Sequence, residues 1–322
     1  MKAYQDASLA PVRRAKALLE EMTLAEKIGQ LNQRLYGFRI YERKCVNGED
    51  TIELSEEFCQ EVEKYSGLGV LYGLYRADPW ADKNYETGLT GVLSKKAYNQ
   101  VQRYVLEHSR LGIPVMMSSE CPHGHQALDG YLLPVNLLAG ATFDPAMVRA
   151  AYRVSGRQLQ NMGVDLALMS MLDVLRDPRW GRSEECYSED PYLSARMAEA
   201  AVIGMQESGP EVVAKHFAAQ GEGTGGVNAS AARIGERELR EIHFPPAAAA
   251  IKAGAKGIMA AYNEIDGVYC HANRWLLNDV IRKEMGFDGI VMSDGVAIDQ
   301  LDSMTGDNVV SGALALQSGV DL

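Results

Sequence analysis

The sequence predicts an α/β fold, a (β/α)8 TIM-type barrel that is irregular or incomplete at its last strand. Three observations carry this. Short apolar runs recur at 68–72, 113–118, 164–171, 212–217, 257–261, 290–293 and 319–322, each of a length that suits a buried strand. Stretches of helical period separate them, and strand–helix alternation implies parallel βαβ units with right-handed crossovers. Titratable residues gather where the runs end, which is where barrel enzymes place their chemistry. Seven or eight such units close a barrel; a doubly wound open sheet is the other arrangement the pattern allows.

The elements follow in order. Thr23-Leu24-Ala25-Glu26 is a capping box that opens an N-terminal helix, because Thr and Glu side chains satisfy each other's backbone amides; residues 1–35 read as a helical lead-in. Val101, Tyr104, Val105 and His108 fall at i, i+3, i+4 and i+7, one face of a helix. Leu276, Leu277, Val280 and Ile281 make a second stripe, with Gly286 at the C-terminal cap position. No internal repeat or linker interrupts 1–322, so one domain is expected. The last run, 319–322, ends too soon to complete a strand and its loop, and the sequence reads as a piece of a longer chain.

Bulk properties narrow the function classes. The chain has 322 residues, 47% hydrophobic and 23% charged, enough to bury a large core. Its formal charge of −11 without a long basic run argues against nucleic acid. Cysteines 45, 59, 121, 186 and 270 are odd in number and lack C-x-x-C spacing, which suggests thiols in a reducing compartment and no zinc ribbon. Neither an apolar leader nor a membrane-length apolar segment occurs. The expected setting is cytoplasmic, or secreted if a signal peptide has been removed.

Asp294 is the candidate nucleophile. It ends the run Gly286-Phe287-Asp288-Gly289-Ile290-Val291-Met292-Ser293-Asp294, where a barrel strand would deliver a carboxylate to the catalytic face. Other runs end in Ser119-Glu120-Cys121-Pro122-His123-Gly124-His125, in Leu175-Arg176-Asp177-Pro178-Arg179-Trp180-Gly181-Arg182, in Lys215-His216-Phe217 and in Ala261-Tyr262-Asn263-Glu264. Such a mixture of charged and hydroxyl-bearing groups suits a polyhydroxylated ligand, whose hydroxyls both donate and accept. Lys215 and Arg176 beside Asp294 would keep its carboxylate ionised and able to attack.

Taken together, K-H-F, R-D-P-R-W-G-R followed by Y-S-E-D-P, H-A-N-R-W-L-L-N-D-V-I-R and G-F-D-G-I-V-M-S-D, in order from about Met22 to Leu322, closely resemble glycoside hydrolase family 3. The resemblance implies an N-terminal barrel domain and a retaining β-glycosidase that releases terminal non-reducing β-D-glucosyl residues through a covalent glycosyl-Asp294 intermediate. It implies that Glu120, Arg176, Lys215 and His216 hold the sugar, with Tyr262 beside the nucleophile, and that no cofactor is needed. The expected partner is an oligosaccharide or glycoside, without nucleic acid or membrane. Retaining chemistry needs a second carboxyl roughly 5 Å from the first. In many family members that acid/base lies in a following α/β sandwich domain, expected to pack on the barrel and absent from 1–322. The N-acetylhexosaminidase branch carries it on a loop after K-H-F-P-G-H-G, but this chain reads Lys215-His216-Phe217-Ala218-Ala219-Gln220-Gly221, which disfavours that branch. Gly295 stands where most members have an aromatic residue, and Glu120 where β-glucosidases often have Asp; the longer side chain would crowd the exocyclic CH2OH of glucose. A β-xylosidase is therefore the first alternative.

Other readings remain at this stage. His123-x-His125 with Glu120, Lys215 and Asp294 is compatible with a metal-dependent amidohydrolase-like barrel, and Lys215 with a Schiff base. A sugar-binding barrel without turnover is the non-enzymatic alternative. Gly221-x-Gly223-x-x-Gly226 follows a strand but opens no helix, so it reads as a loop and not as a nucleotide site. Arg179 and Arg182 are candidate ion-pair partners of Glu184, Glu189 or Asp190, and Trp180 is a candidate core aromatic.

Overall fold

In the computed structural model, which describes residues 2–322, the chain falls into two units, 1–117 and 118–322. The first opens with helices Pro11–Glu21 and Leu24–Gln30. The predicted capping box forms: Glu26 N–H donates to Thr23 Oγ1 at 3.3 Å and Thr23 N–H to Glu26 Oε2 at 2.8 Å. A hairpin of β1 (Tyr41–Val46) and β2 (Glu49–Leu54) follows. Its turn residues Asn47 and Gly48 take φ of 53° and 81°, the left-handed pair that two-residue hairpins demand. Next come helix Glu56–Tyr65, strand β3 (Val70–Tyr72) and helix Gly91–Glu107. Val101 and Val105 are fully buried, whereas His108 ends the helix in solvent, so only part of the expected stripe faces the core.

Strand β4 (Met116–Glu120) straddles the boundary between the units. In the second unit it is followed by β5 (Leu166–Ser170), β6 (Glu211–Phe217), β7 (Gly257–Ala260), a small antiparallel hairpin of β8 (Glu264–Ile265) and β9 (Val268–Tyr269), and β10 (Ile290–Met292). The parallel strands lie in the order β10-β7-β6-β5-β4. That order runs monotonically with the chain. A doubly wound sheet reverses at a switch point, so the barrel-type reading stands and the open-sheet alternative does not. Val212, Val213 and Ala214 of β6 are all fully buried, as expected for a parallel strand covered on both faces.

Helices fill the crossovers, and their starts are written in the sequence. Asp144-Pro145 and Asp190-Pro191 pair an N-cap carboxylate with a proline in the first turn. Asp144 accepts from Met147 N–H at 3.0 Å, opening helix Pro145–Asn161, and Asp190 from Tyr192 and Leu193 at 2.7 and 3.0 Å, opening helix Pro191–Gln206. Helices Phe244–Lys252, Trp275–Glu284 and Asn308–Ser318 follow. All four residues of the Leu276 stripe are fully buried, and Gly286 has φ of 70° just past the helix end. The seventh run is not a strand. Val291 O instead accepts from Asp321 N–H at 2.8 Å, and Ser293 N–H donates to Leu322 O at 2.6 Å, so the segment lies alongside β10.

Candidate functional site

The site residues of the second unit sit at or just past strand ends. β4 delivers Glu120, the segment after β5 Asp173, β6 Lys215 and His216, the segment after β7 Tyr262, and that after β10 Asp294. Along β6 the pairing with β7 shifts between Ala214 and Phe217, a bulge that relaxes side-chain alternation where Lys215 and His216 stand next to each other.

Asp294 has one anchored oxygen and one that is not. Its Oδ1 accepts from Gly295 N–H at 2.7 Å, while the buried Oδ2 has no hydrogen-bond partner among the described residues and lies 3.6 Å from His216 Nε2. The backbone is held as well: Asp294 N–H donates to His271 Nε2 at 3.2 Å. Burial drives the His271 imidazole down to about 4, which keeps it neutral and able to accept. Tyr262 OH donates to Gly295 O at 2.8 Å, so Tyr262 touches the residue after Asp294.

His216 is oriented from two sides. Asp173 Oδ2 sits 2.7 Å from Nδ1, which places the ring proton there and leaves Nε2 to accept from Arg182 Nη2 at 3.0 Å. Arg182 is itself clamped by Glu185 at 2.6 and 3.0 Å. Burial pushes the Glu185 carboxyl up, but the Arg182 hydrogen bonds together with the positive charges of Arg182 and Lys215 outweigh it and hold it at about 2. Lys215 Nζ donates to Glu120 Oε2 at 2.7 Å, and both side chains are nearly buried.

Five of the six predicted residues therefore enter two linked clusters, Lys215 with Glu120, and His216 with Asp294 and Tyr262. Arg176 takes a different place: its guanidinium faces Glu222 at 3.4 Å and Glu238 at 3.5 Å. The cation beside His216 and Asp294 is Arg182, last residue of the same R-D-P-R-W-G-R segment. Sequence reasoning paired it with Glu184, Glu189 or Asp190, yet Asp190 caps a helix and Glu185 takes the arginine. Spacing could have found this, since Arg182 and Glu185 stand i,i+3. Asp173 and His271 were also missed; only the histidine of the H-A-N-R-W segment gave a signal. Trp180 is core, 2% exposed, with its indole N–H donating to Asn228 at 2.9 Å.

His125 is fully buried with Nε2 2.9 Å from Ser119 Oγ, and among the described residues no three His, Cys, Asp or Glu side chains are grouped to hold a metal ion. Among the same residues no helix is long and apolar enough to cross a membrane.

The family model described as Glycosyl hydrolase family 3 N terminal domain matches residues 23–322. A β-xylosidase of Formosa agariphila is 34% identical over 264 residues, 76% of this chain and 36% of its own length. A periplasmic β-glucosidase of Salmonella typhimurium is 31% identical over 313 residues, 95% of this chain and 36% of its own. The solved structure of a β-glucosidase from Erythrobacter marinus superposes with a TM-score of 0.85 at 32% identity, covering 100% of this chain and 41% of that one. The chain thus spans little more than a third of the length of these relatives.

Proposed function

Because the chain belongs to glycosyl hydrolase family 3, we propose that it supplies the nucleophile and sugar-binding half of a retaining β-glycosidase acting on terminal non-reducing β-D-glucosyl residues. One observation carries this reading: the partnerless, buried Oδ2 of Asp294, aimed beside His216 at a strand's C-terminal end. A carboxylate oxygen kept clear of hydrogen bonds retains its lone pairs for attack on an anomeric carbon. Glu120, Lys215, His216 and Arg182 offer acceptors and donors to sugar hydroxyls, and Tyr262 holds the loop behind the nucleophile. Arg176, expected from the resemblance to bind the same sugar, faces Glu222 and Glu238 instead.

A β-xylosidase is the second reading, favoured by the Formosa relative and by the length of Glu120. The proton donor is proposed to lie outside residues 1–322, in keeping with the greater length of the relatives. Without it the chain would lose the roughly 10²- to 10⁴-fold that leaving-group protonation supplies. A cytoplasmic setting is part of the reading, supported by five cysteines that form no disulfide.

The test uses substrates that need little acid assistance. A 2-deoxy-2-fluoroglucosyl fluoride and its xylosyl counterpart are incubated with the chain, and the protein is digested and analysed by mass spectrometry. A glycosyl adduct on Asp294, absent from Asp294→Ala, is expected. An adduct on another residue, or none with either sugar, overturns the proposal, and the sugar that labels faster decides between the two readings.

A further inference from the structure

His271 takes no part in the sugar contacts proposed above, and at 1% exposed it is closed off from any ligand. Its place follows from the path of the chain. β7 ends at Ala260, and after Ala261, Tyr262 and Asn263 the β8–β9 hairpin carries the chain out and back. Cys270 N–H donates to Asn263 O at 3.1 Å, which closes the excursion, and the short turn Cys270–Ala272 then brings His271 back to the end of β7. Asn273 Oδ1 accepts from Leu276 N–H at 3.0 Å as helix Trp275–Glu284 begins.

The ring is engaged on both sides. Nε2 accepts from Asp294 N–H at 3.2 Å, so the neutral imidazole carries its proton on Nδ1. The ring also hydrogen-bonds to the Ala261 backbone. Ala261 N–H already donates to Phe217 O at 2.8 Å, which leaves the Ala261 carbonyl to accept from Nδ1–H. His271 thus ties the segment after β7 to the segment after β10. Tyr262 makes a second tie between the same segments, from its hydroxyl to Gly295 O at 2.8 Å.

The turn beyond Asp294 needs such support. Its own hydrogen bond, from Ala297 N–H to Asp294 O, is 3.2 Å long. Val296 holds φ of 54°, a left-handed conformation that is unfavourable for a β-branched residue and persists only when the surroundings impose it. An aspartate carboxyl stands one carbon from its own main chain, so slack at the Asp294 amide passes directly to Oδ2.

We propose that His271 is a positioning residue for the attack assigned above to Asp294: its imidazole locks the Asp294 main chain to the Ala261–Tyr262 segment and so sets the direction of Oδ2 without touching the sugar. The proposal rests on the glycosidase reading above.

The test follows trapping by the 2-deoxy-2-fluoroglycosyl fluoride, glucosyl or xylosyl, that labels the native chain faster. Intact-mass measurements over a range of probe concentrations separate the rate constant of labelling from the concentration that half-saturates it. His271→Gln keeps an acceptor near the place of Nε2, whereas His271→Leu has none. His271→Leu is expected to lower the rate constant by about tenfold or more with the half-saturating concentration unchanged, and His271→Gln to regain most of the loss. Equal slowing in both variants, native rates in His271→Leu, or a change confined to the half-saturating concentration overturns the proposal. A second measurement needs no sugar. Heteronuclear NMR of the native chain labelled at histidine nitrogen, with the His271 signal identified by its loss in His271→Gln, should show a ring protonated on Nδ1. A ring protonated on Nε2 overturns the proposal even where His271→Leu fails to fold. Absence of label on Asp294 in the native chain, with the Nδ1–H ring observed, overturns the glycosidase reading and with it the role of His271 in catalysis, while the hydrogen bond itself stands.

Discussion

Removing the Lys215 ammonium is the sharpest test of how the site is held together. Lys215 Nζ and Glu120 Oε2 are 2.7 Å apart, with side chains 6% and 11% exposed. At an effective dielectric of about 20, two unit charges at that distance attract by roughly 6 kcal/mol. The cost of withdrawing both from water offsets most of this, so the intact pair adds little net stability. Lys215→Met takes the ammonium away from a nearly buried carboxylate and should destabilise by about 3–5 kcal/mol. That corresponds to a fall in Tm of roughly 6–20 °C for a cooperative unit of 150–250 residues. Adding Glu120→Gln should restore much of the loss, giving a coupling of about 1–3 kcal/mol in a double-mutant cycle. Urea unfolding of wild type, both single variants and the double variant measures it. Strictly additive losses would refute the reasoning, since they would mean the two charges do not depend on each other.

Three further outcomes are expected. Hydrogen bonds from Arg110 hold the Glu26 carboxyl at about 2, so the stabilisation it confers is complete above the ordinary carboxylate pKa of about 4.3 and is lost as pH falls towards 2; denaturation midpoints at pH 6, 4 and 3 should drop less steeply in Glu26→Gln. Tyr262→Phe removes the hydrogen bond to Gly295 O and should cost no more than about 1.5 kcal/mol, while slowing sugar trapping at Asp294; an unchanged trapping rate would show that the tyrosine does not position that loop. Gly140→Ala would set a methyl 1.8 Å from the Tyr187 carbonyl oxygen and should destabilise by at least about 1–3 kcal/mol; wild-type thermal stability would count against that packing.

What the sequence disclosed depended on whether the signal was local. Apolar runs gave six of the parallel strands, because burial on both faces leaves few polar residues to interrupt them. The capping box at Thr23 was readable because its two side chains and two amides lie within one helical turn. The hairpin around Asn47-Gly48 carries an equally local mark in its two turn residues. Long-range pairing was not legible. That Asp173 would support His216, that His271 would accept from the amide of Asp294, and that Arg182 rather than Arg176 would face Asp294 all depend on how segments 23 to 112 residues apart in the chain meet. Several arginines within one motif cannot be told apart until the turn that carries them is built.

The scaffold around Asp294 leaves two positions uncommitted. Asp294 is fixed through its own amide, through the amide of Gly295 and through that residue's carbonyl, all of them main-chain groups. A Cβ at Gly295 would meet only the Tyr262 hydroxyl, at 3.5 Å, and the Val296 side chain is 56% exposed. Substitution at these two positions can therefore change what lies beside Asp294 while its carboxylate keeps its aim, which makes them the natural place to retune the selectivity of the proposed catalyst.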